Sequence, residues 1–193
     1  MPRIDAPTVA EHHRRRRAEL LAAGADLLAA GGVDAVTLGA VGSATGLARS
    51  SVYQYFDSAP ALLAAVVEDV FPRSIERLRV AVDRAASPRE KVDAYVVTAL
   101  DLAADGTHRS LYALVGADLP EACRARIAEL HAEQFGPLRD AVAGLGVADP
   151  ALSTRLLLGV LQSATQAVVE GAPRARVKRT VLALVHDGLA GPA

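Results

Sequence analysis

Proline and glycine cut the chain into helix-length pieces, and within them apolar residues return at helical rather than strand spacing. The first piece runs from about Arg14 to Ala30, with Leu20-Leu21 and Leu27-Leu28 seven residues apart, and stops at Gly31-Gly32. A short second helix is predicted over Thr37 to Thr45, ending at Gly46, and a third over Ala48 to Phe56. Asp57-Ser58-Ala59-Pro60 reads as the polar cap and first-turn proline of a fourth, which continues to about Ala86 with a kink or break at Pro72. Ser87-Pro88 opens the next, to about Ala104. Past a turn at Asp105-Gly106-Thr107, a shorter segment reaches Ala117, and Asp118-Leu119-Pro120 opens a helix to about Gly144, strained at Pro137. Asp149-Pro150 and Ala172-Pro173 open the last two. About nine helices result and the fold class is all-α; residues 1 to 11 read as a weakly held tail.

Composition supports that class. Apolar residues make up 51% of the 193 positions but aromatics only 4%, so the aromatic and β-branched runs that strands want are scarce. The length suits a small N-terminal unit, residues 1–59, docked on a larger helical unit, residues 60–193. Met1-Pro2-Arg3-Ile4-Asp5 lacks the apolar core of a signal peptide, and no stretch reaches the roughly 18 uninterrupted apolar residues of a membrane span. A single cysteine, Cys123, forms no internal disulfide and fits a reducing compartment, so a cytoplasmic location is expected.

The net charge of −1 would argue against a nucleic-acid partner if it were spread evenly. It is not: Arg14, Arg15, Arg16 and Arg17 are consecutive, just after His12-His13. Screening confines charge effects to roughly 8–10 Å, so this local run outweighs the total. A solvated helix face is the plainer reading of such a run on its own; its neighbourhood decides otherwise. Between Thr37 and Phe56 two short helices meet through a glycine turn, the physical pattern of a helix-turn-helix whose second helix enters the major groove. Leu38, Val41, Leu47, Val52 and Phe56 are spaced to close a miniature core, and Arg49, Ser50, Tyr53 and Gln54 share the opposite face. Arginine pairs with guanine, glutamine with adenine, and hydroxyls reach bases or phosphates.

Over residues 14 to 66 this pattern resembles the TetR family, in which a threonine-capped helix, a glycine turn, a tyrosine and an aromatic pair precede the fourth helix; the matching residues are Thr37, Gly46, Leu47, Tyr53, Tyr55 and Phe56. The resemblance implies an all-α homodimer that binds a pseudopalindromic operator. It also implies DNA contact by Thr37, Arg49, Ser50, Ser51, Tyr53, Gln54 and Tyr55, to which the chain adds Arg14 to Arg17. The chain departs from the pattern at Ala59, where a phosphate-binding lysine is usual, at Gly42, where alanine is common, and at Ala48, where a polar cap is usual. A missing cap costs about 1 kcal/mol.

The same resemblance places the dimer on the last two helices, for which the apolar and small positions Leu152, Leu156, Gly159, Val160, Ser163, Ala167, Val177, Val181, Leu184 and Val185 are the candidates. The competing reading is that these stripes face the chain's own core. An effector pocket is expected between about 60 and 145, with Phe71, Tyr95, His108, Tyr112, His131 and Phe135 as candidates and an apolar effector favoured by the scarcity of aromatics.

Enzyme readings find little support. Asp101, Asp105 and His108 share a helical face, but Gly106 ends that helix, and Cys123 and His131 lie roughly 12 Å apart along a helix. No phosphate loop or HExxH motif occurs, so no cofactor or metal is expected. The function expected is a repressor released from DNA by a small molecule; the alternative is a helical enzyme or ligand carrier with a vestigial helix-turn-helix.

Overall fold

The computed structural model describes residues 9–104 and 121–189. Among them are eight α-helices and no strand: α1 (Val9–Gly31), α2 (Leu38–Thr45), α3 (Arg49–Val52), α4 (Ala59–Asp83), α5 (Pro88–Ala104), α6 (Glu121–Gly144), α7 (Pro150–Val169) and α8 (Arg174–Leu189). A short 3-10 turn at Val33–Ala35 joins α1 to α2. The fold is therefore all-α, as expected, and the segment expected to reach Ala117 lies outside the described residues.

The helix starts follow local chemistry. Thr37 Oγ1 accepts from Ala40 N at 3.1 Å, Ser58 Oγ from Ala61 N at 3.2 Å, and Asp149 Oδ1 from Leu152 N at 2.9 Å, each satisfying an N–H that the helix itself leaves without an acceptor. Ser87 and Glu90 form a reciprocal capping box: Glu90 N donates to Ser87 Oγ at 3.2 Å while Glu90 Oε2 accepts from Ser87 N at 3.3 Å.

Three expectations about elements are corrected. The supposed tail is helical from Val9, so the arginine run stands on the second and third turns of α1 rather than at its start. The third helix is regular only over Arg49–Val52; from there to Phe56 the chain tightens, with Gln54 N donating to Ser51 O at 3.2 Å and Tyr55 N to Val52 O at 3.0 Å. Pro72 does not break α4: the helix runs through it to Asp83, with the proline on the exposed side, away from both cores.

Packing divides into two cores. The first gathers Leu20, Leu28, Leu38, Val41, Val52, Phe56, Leu62 and Val66 from α1 through the first half of α4, and Cys123, Ile127 and Leu130 from the start of α6 join it. The second gathers Leu78 and Val82 from the end of α4 with residues of α5, the end of α6, α7 and α8. Helices α4 and α6 thus run through both cores. Outside the packing they are tied by the Arg126 guanidinium, which donates to both carboxylate oxygens of Glu68, at 2.5 and 3.1 Å. That pairing holds the Glu68 carboxyl below its ordinary pKa, chiefly through the hydrogen bond.

Leu138 is fully buried at the centre of the second core. Leu138→Ala should destabilise the protein by about 2–5 kcal/mol, read as a lowered urea midpoint with helical content retained in the folded baseline.

Candidate nucleic-acid interface

The recognition segment is positioned by its inner face. Val52 is fully buried and Phe56 nearly so, both in the first core, which leaves Arg49, Ser50, Tyr53 and Gln54 exposed together on the outer face. The turn before it needs Gly46, whose φ of 70° is a left-handed conformation that other residues adopt at a cost. Ala48 supplies no side-chain cap, so the start of α3 is held by packing and by backbone hydrogen bonds, with Ser51 N and Val52 N donating to the Ala48 carbonyl at 2.9 and 3.3 Å. Tyr53 is 44% exposed, and it is paired with Arg49: Arg49 Nη2 donates to Tyr53 Oη at 3.2 Å, and the guanidinium carbon lies 5.7 Å from the ring centroid. An exposed cation–π contact is worth about 0.5–1 kcal/mol, little enough to be exchanged for a guanine edge.

The basic run joins this surface through two ring contacts that the sequence does not disclose. The His13 ring stacks on Tyr55 with centroids 4.5 Å apart, and the Arg17 guanidinium lies 5.5 Å from the Phe56 centroid. Tyr55 is consequently half-buried, as is Ser51, while Thr37 is exposed at the cap of α2. Arg14, Arg15 and Arg17 are exposed and Arg16 is half-buried. Glu19 offsets part of their charge, at 2.6 Å from Arg16 and 3.8 Å from Arg15. His13 and Glu19 belong to the geometry of this face although the sequence makes neither a candidate for DNA contact.

The other two candidate groups are also located. Leu152, Leu156 and Leu184 are exposed leucines, the last two 62% and 58% accessible. Leu156 and Leu184, with Gly159, Val160, Ser163, Ala167 and Val177, line an open apolar face along α7 and α8. Val181 lines the floor of that face while being buried in the chain's own second core, and Val185 is buried in the same core, where the inward stripe of α8 meets α5 and α7. Of the effector candidates, His108 and Tyr112 lie outside the described residues. Phe71, His131 and Phe135 form a ladder, Phe71 meeting His131 edge-on at 5.1 Å and His131 stacking on Phe135 at 5.3 Å. Burial lowers the His131 pKa, favouring neutral imidazole. Tyr95 is buried and donates to the Gln134 carbonyl at 3.2 Å, and burial pushes its phenol well above the ordinary range.

Gly42 shows how closely the reading head is assembled. A Cβ there would stand 2.7 Å from Leu47 O and 3.3 Å from Val52 Cγ2. Overpacking costs about 1–3 kcal/mol, against which the better helix propensity of alanine returns about 1 kcal/mol. Gly42→Ala should therefore lower thermal stability modestly and weaken DNA binding by tilting α3, which differential scanning calorimetry and a binding titration would read separately.

Comparisons with known proteins agree with this geometry. Residues 20–66 match the family model described as bacterial regulatory proteins, tetR family. No curated protein matches the chain by sequence. Among solved structures, a TetR-family transcriptional regulator from Bordetella parapertussis 12822 superposes with a TM-score of 0.73 at 23% identity, covering 92% of this chain and 97% of its own. The transcriptional regulator FadR from Bacillus subtilis, solved in complex with stearoyl-CoA, gives 0.74 at 17% identity, with 89% and 98% covered. The ketosteroid transcriptional regulator KstR2 of Mycobacterium tuberculosis gives 0.70 at 19%, with 90% and 94% covered. Residues 20–66 thus carry the helix-turn-helix of the tetR-family type, and the chain shares its all-α fold with these solved structures.

Proposed function

We propose that the protein is a homodimeric transcriptional repressor that reads a pseudopalindromic operator and leaves it when a small molecule binds the C-terminal unit. The observation that carries the reading is the outward presentation of Arg49, Ser50, Tyr53 and Gln54 from a segment whose inner face is locked by Val52 and Phe56. In this reading Arg49 and Gln54 take base edges, while Thr37, Ser51, Tyr53, Tyr55 and Arg14 to Arg17 hold phosphates. Residues 1–59 act as the DNA-binding unit and residues 60–193 as the effector and dimerisation unit, working in the cytoplasm. Among the described residues no helix is long and apolar enough to cross a membrane.

The exposed leucines of α7 and α8 support a second copy as their cover. Soluble chains rarely leave such a contiguous apolar face open, and two reading heads held about 34–36 Å apart engage successive turns of DNA. The FadR solved with stearoyl-CoA supports an effector with an apolar body. Release then requires that the effector prefer an arrangement of the two heads different from the one DNA selects.

The test is a titration against duplexes from the region upstream of the protein's own coding sequence, across a range of salt. Replacing Arg14 to Arg17 together by alanine should weaken binding to every duplex and flatten the logarithmic salt slope by about 0.9 for each phosphate that is no longer neutralised; an unchanged slope would remove the basic run from the interface. Leu156→Glu should convert dimer to monomer in sedimentation and lower operator affinity about 100-fold or more. A variant that stays dimeric would displace the interface from this face.

A further inference from the structure

The break between the two cores is a polar layer. On α4, Ser74 follows Phe71 by three residues and precedes Leu78 by four, so it continues the inward stripe, and it is fully buried. On α6, Gln134 follows Leu130 by four and precedes Leu138 by four; it is 4% exposed. On α5, Tyr95 reaches the Gln134 backbone with its hydroxyl. Three packed helices thus bring a polar side chain to one level, where the first core ends at Phe71 and Leu130 and the second begins at Leu78 and Leu138. The aromatic ladder of Phe71, His131 and Phe135 borders the same level.

Ser74 is the informative member. Its Oγ is buried with no hydrogen-bond partner among the described residues. A serine hydroxyl in a helix ordinarily bonds back to a carbonyl one turn earlier, as the hydroxyls of Thr45, Thr154 and Thr165 do in this chain, at 2.7–2.9 Å. Leaving a buried hydroxyl without a partner is costly, and such a group calls for an explanation. The formal charges nearby point away from this level: Glu68 and Arg126 pair with each other on the outside, and Arg73 pairs with Asp69 on the exposed side of α4. No Lys, Arg, Asp or Glu among the described residues is buried.

We propose that this layer receives the polar end of an uncharged, largely apolar effector, with Ser74 Oγ hydrogen-bonding a hydroxyl or carbonyl oxygen and Phe71 and Phe135 flanking the apolar body. The inference rests on the effector reading above and narrows it. A carboxylate or an ammonium entering here would lose its hydration without meeting an opposite charge, and desolvation of an unpaired ion far exceeds what one hydroxyl returns. An alcohol or ketone loses little and satisfies the serine. The neutral state that burial favours for His131 is consistent with a level that holds no charge.

The experiment uses four probes of one chain length, decanol, decane, decanoate and decylammonium, and measures binding to the full-length protein by calorimetry and thermal shift. Decanol should bind at least tenfold more tightly than either ion and detectably better than decane. Ser74→Ala should raise the melting temperature of the unliganded protein, since it removes a buried hydroxyl that has no partner, and should weaken decanol about five- to tenfold. Opposite signs for the two effects separate a ligand-facing serine from a structural one, which would lose stability on truncation. Decanoate or decylammonium matching decanol, decane matching decanol, or no probe binding at all would overturn the inference. If decanol binds as described yet leaves operator affinity unchanged, the site stands and the effector-release reading falls instead.

Discussion

Everything in this molecule depends on α4 being buried along its whole inner stripe. Leu62, Leu63, Val66, Val67, Val70 and Phe71 bind its first half into the core that carries the helix-turn-helix, and Leu78 and Val82 bind its second half into the core that carries α5 to α8. At roughly 1.5–3 kcal/mol for each fully buried large apolar side chain, neither end is released cheaply. The fit against α1 is close: a Cβ at Gly24 would come within 2.7 Å of Val66 Cγ2, so α1 and α4 touch almost backbone to side chain. Interiors packed this densely shift as blocks rather than bend continuously.

The polar layer and the basic run are the two places where the chain departs from the most stable arrangement. A valine or leucine at position 74 would continue the stripe on α4, and the serine there interrupts it. Four consecutive arginines repel one another, and Glu19 relieves only two of them. Natural sequences accept such local conflicts where a function collects the difference. Here one conflict lies beside the rings of Tyr55 and Phe56, next to the face that offers Arg49 and Gln54, and the other lies between the helices that connect that face to the remainder of the chain.

Much of this is legible in the residues themselves. Caps and breakers place the helices because Thr37, Ser58, Ser87 and Asp149 each do local chemistry that needs no tertiary partner. The recognition face is legible because Val52 and Phe56 fix which side is inward, so the rest of a short helix has only one way to point. Where reading fails, the reason is tertiary. Periodicity marks a stripe on α8 without saying whether the chain's own core or a second copy covers it, and Val181 and Val185 are both buried in the chain's own core. Pro72 reads as an interruption because a sequence does not reveal that the proline lies on the exposed side of a continuous helix. The His13–Tyr55 stack joins residues 42 positions apart and has no local signal. Ser74 and Gln134 do carry one, as polar residues at the spacing of an apolar stripe.

DNA recognition by this chain turns on whether the outward side chains of the recognition segment read base sequence. Selecting bound duplexes from a random pool tests this most directly. A two-fold symmetric motif with half-sites about one helical turn apart should be enriched, and preference at one base pair in each half should be lost when Gln54 is replaced by alanine. Enrichment of no motif, or a motif left unaltered by substitution at Arg49 and Gln54, would contradict base reading by this segment.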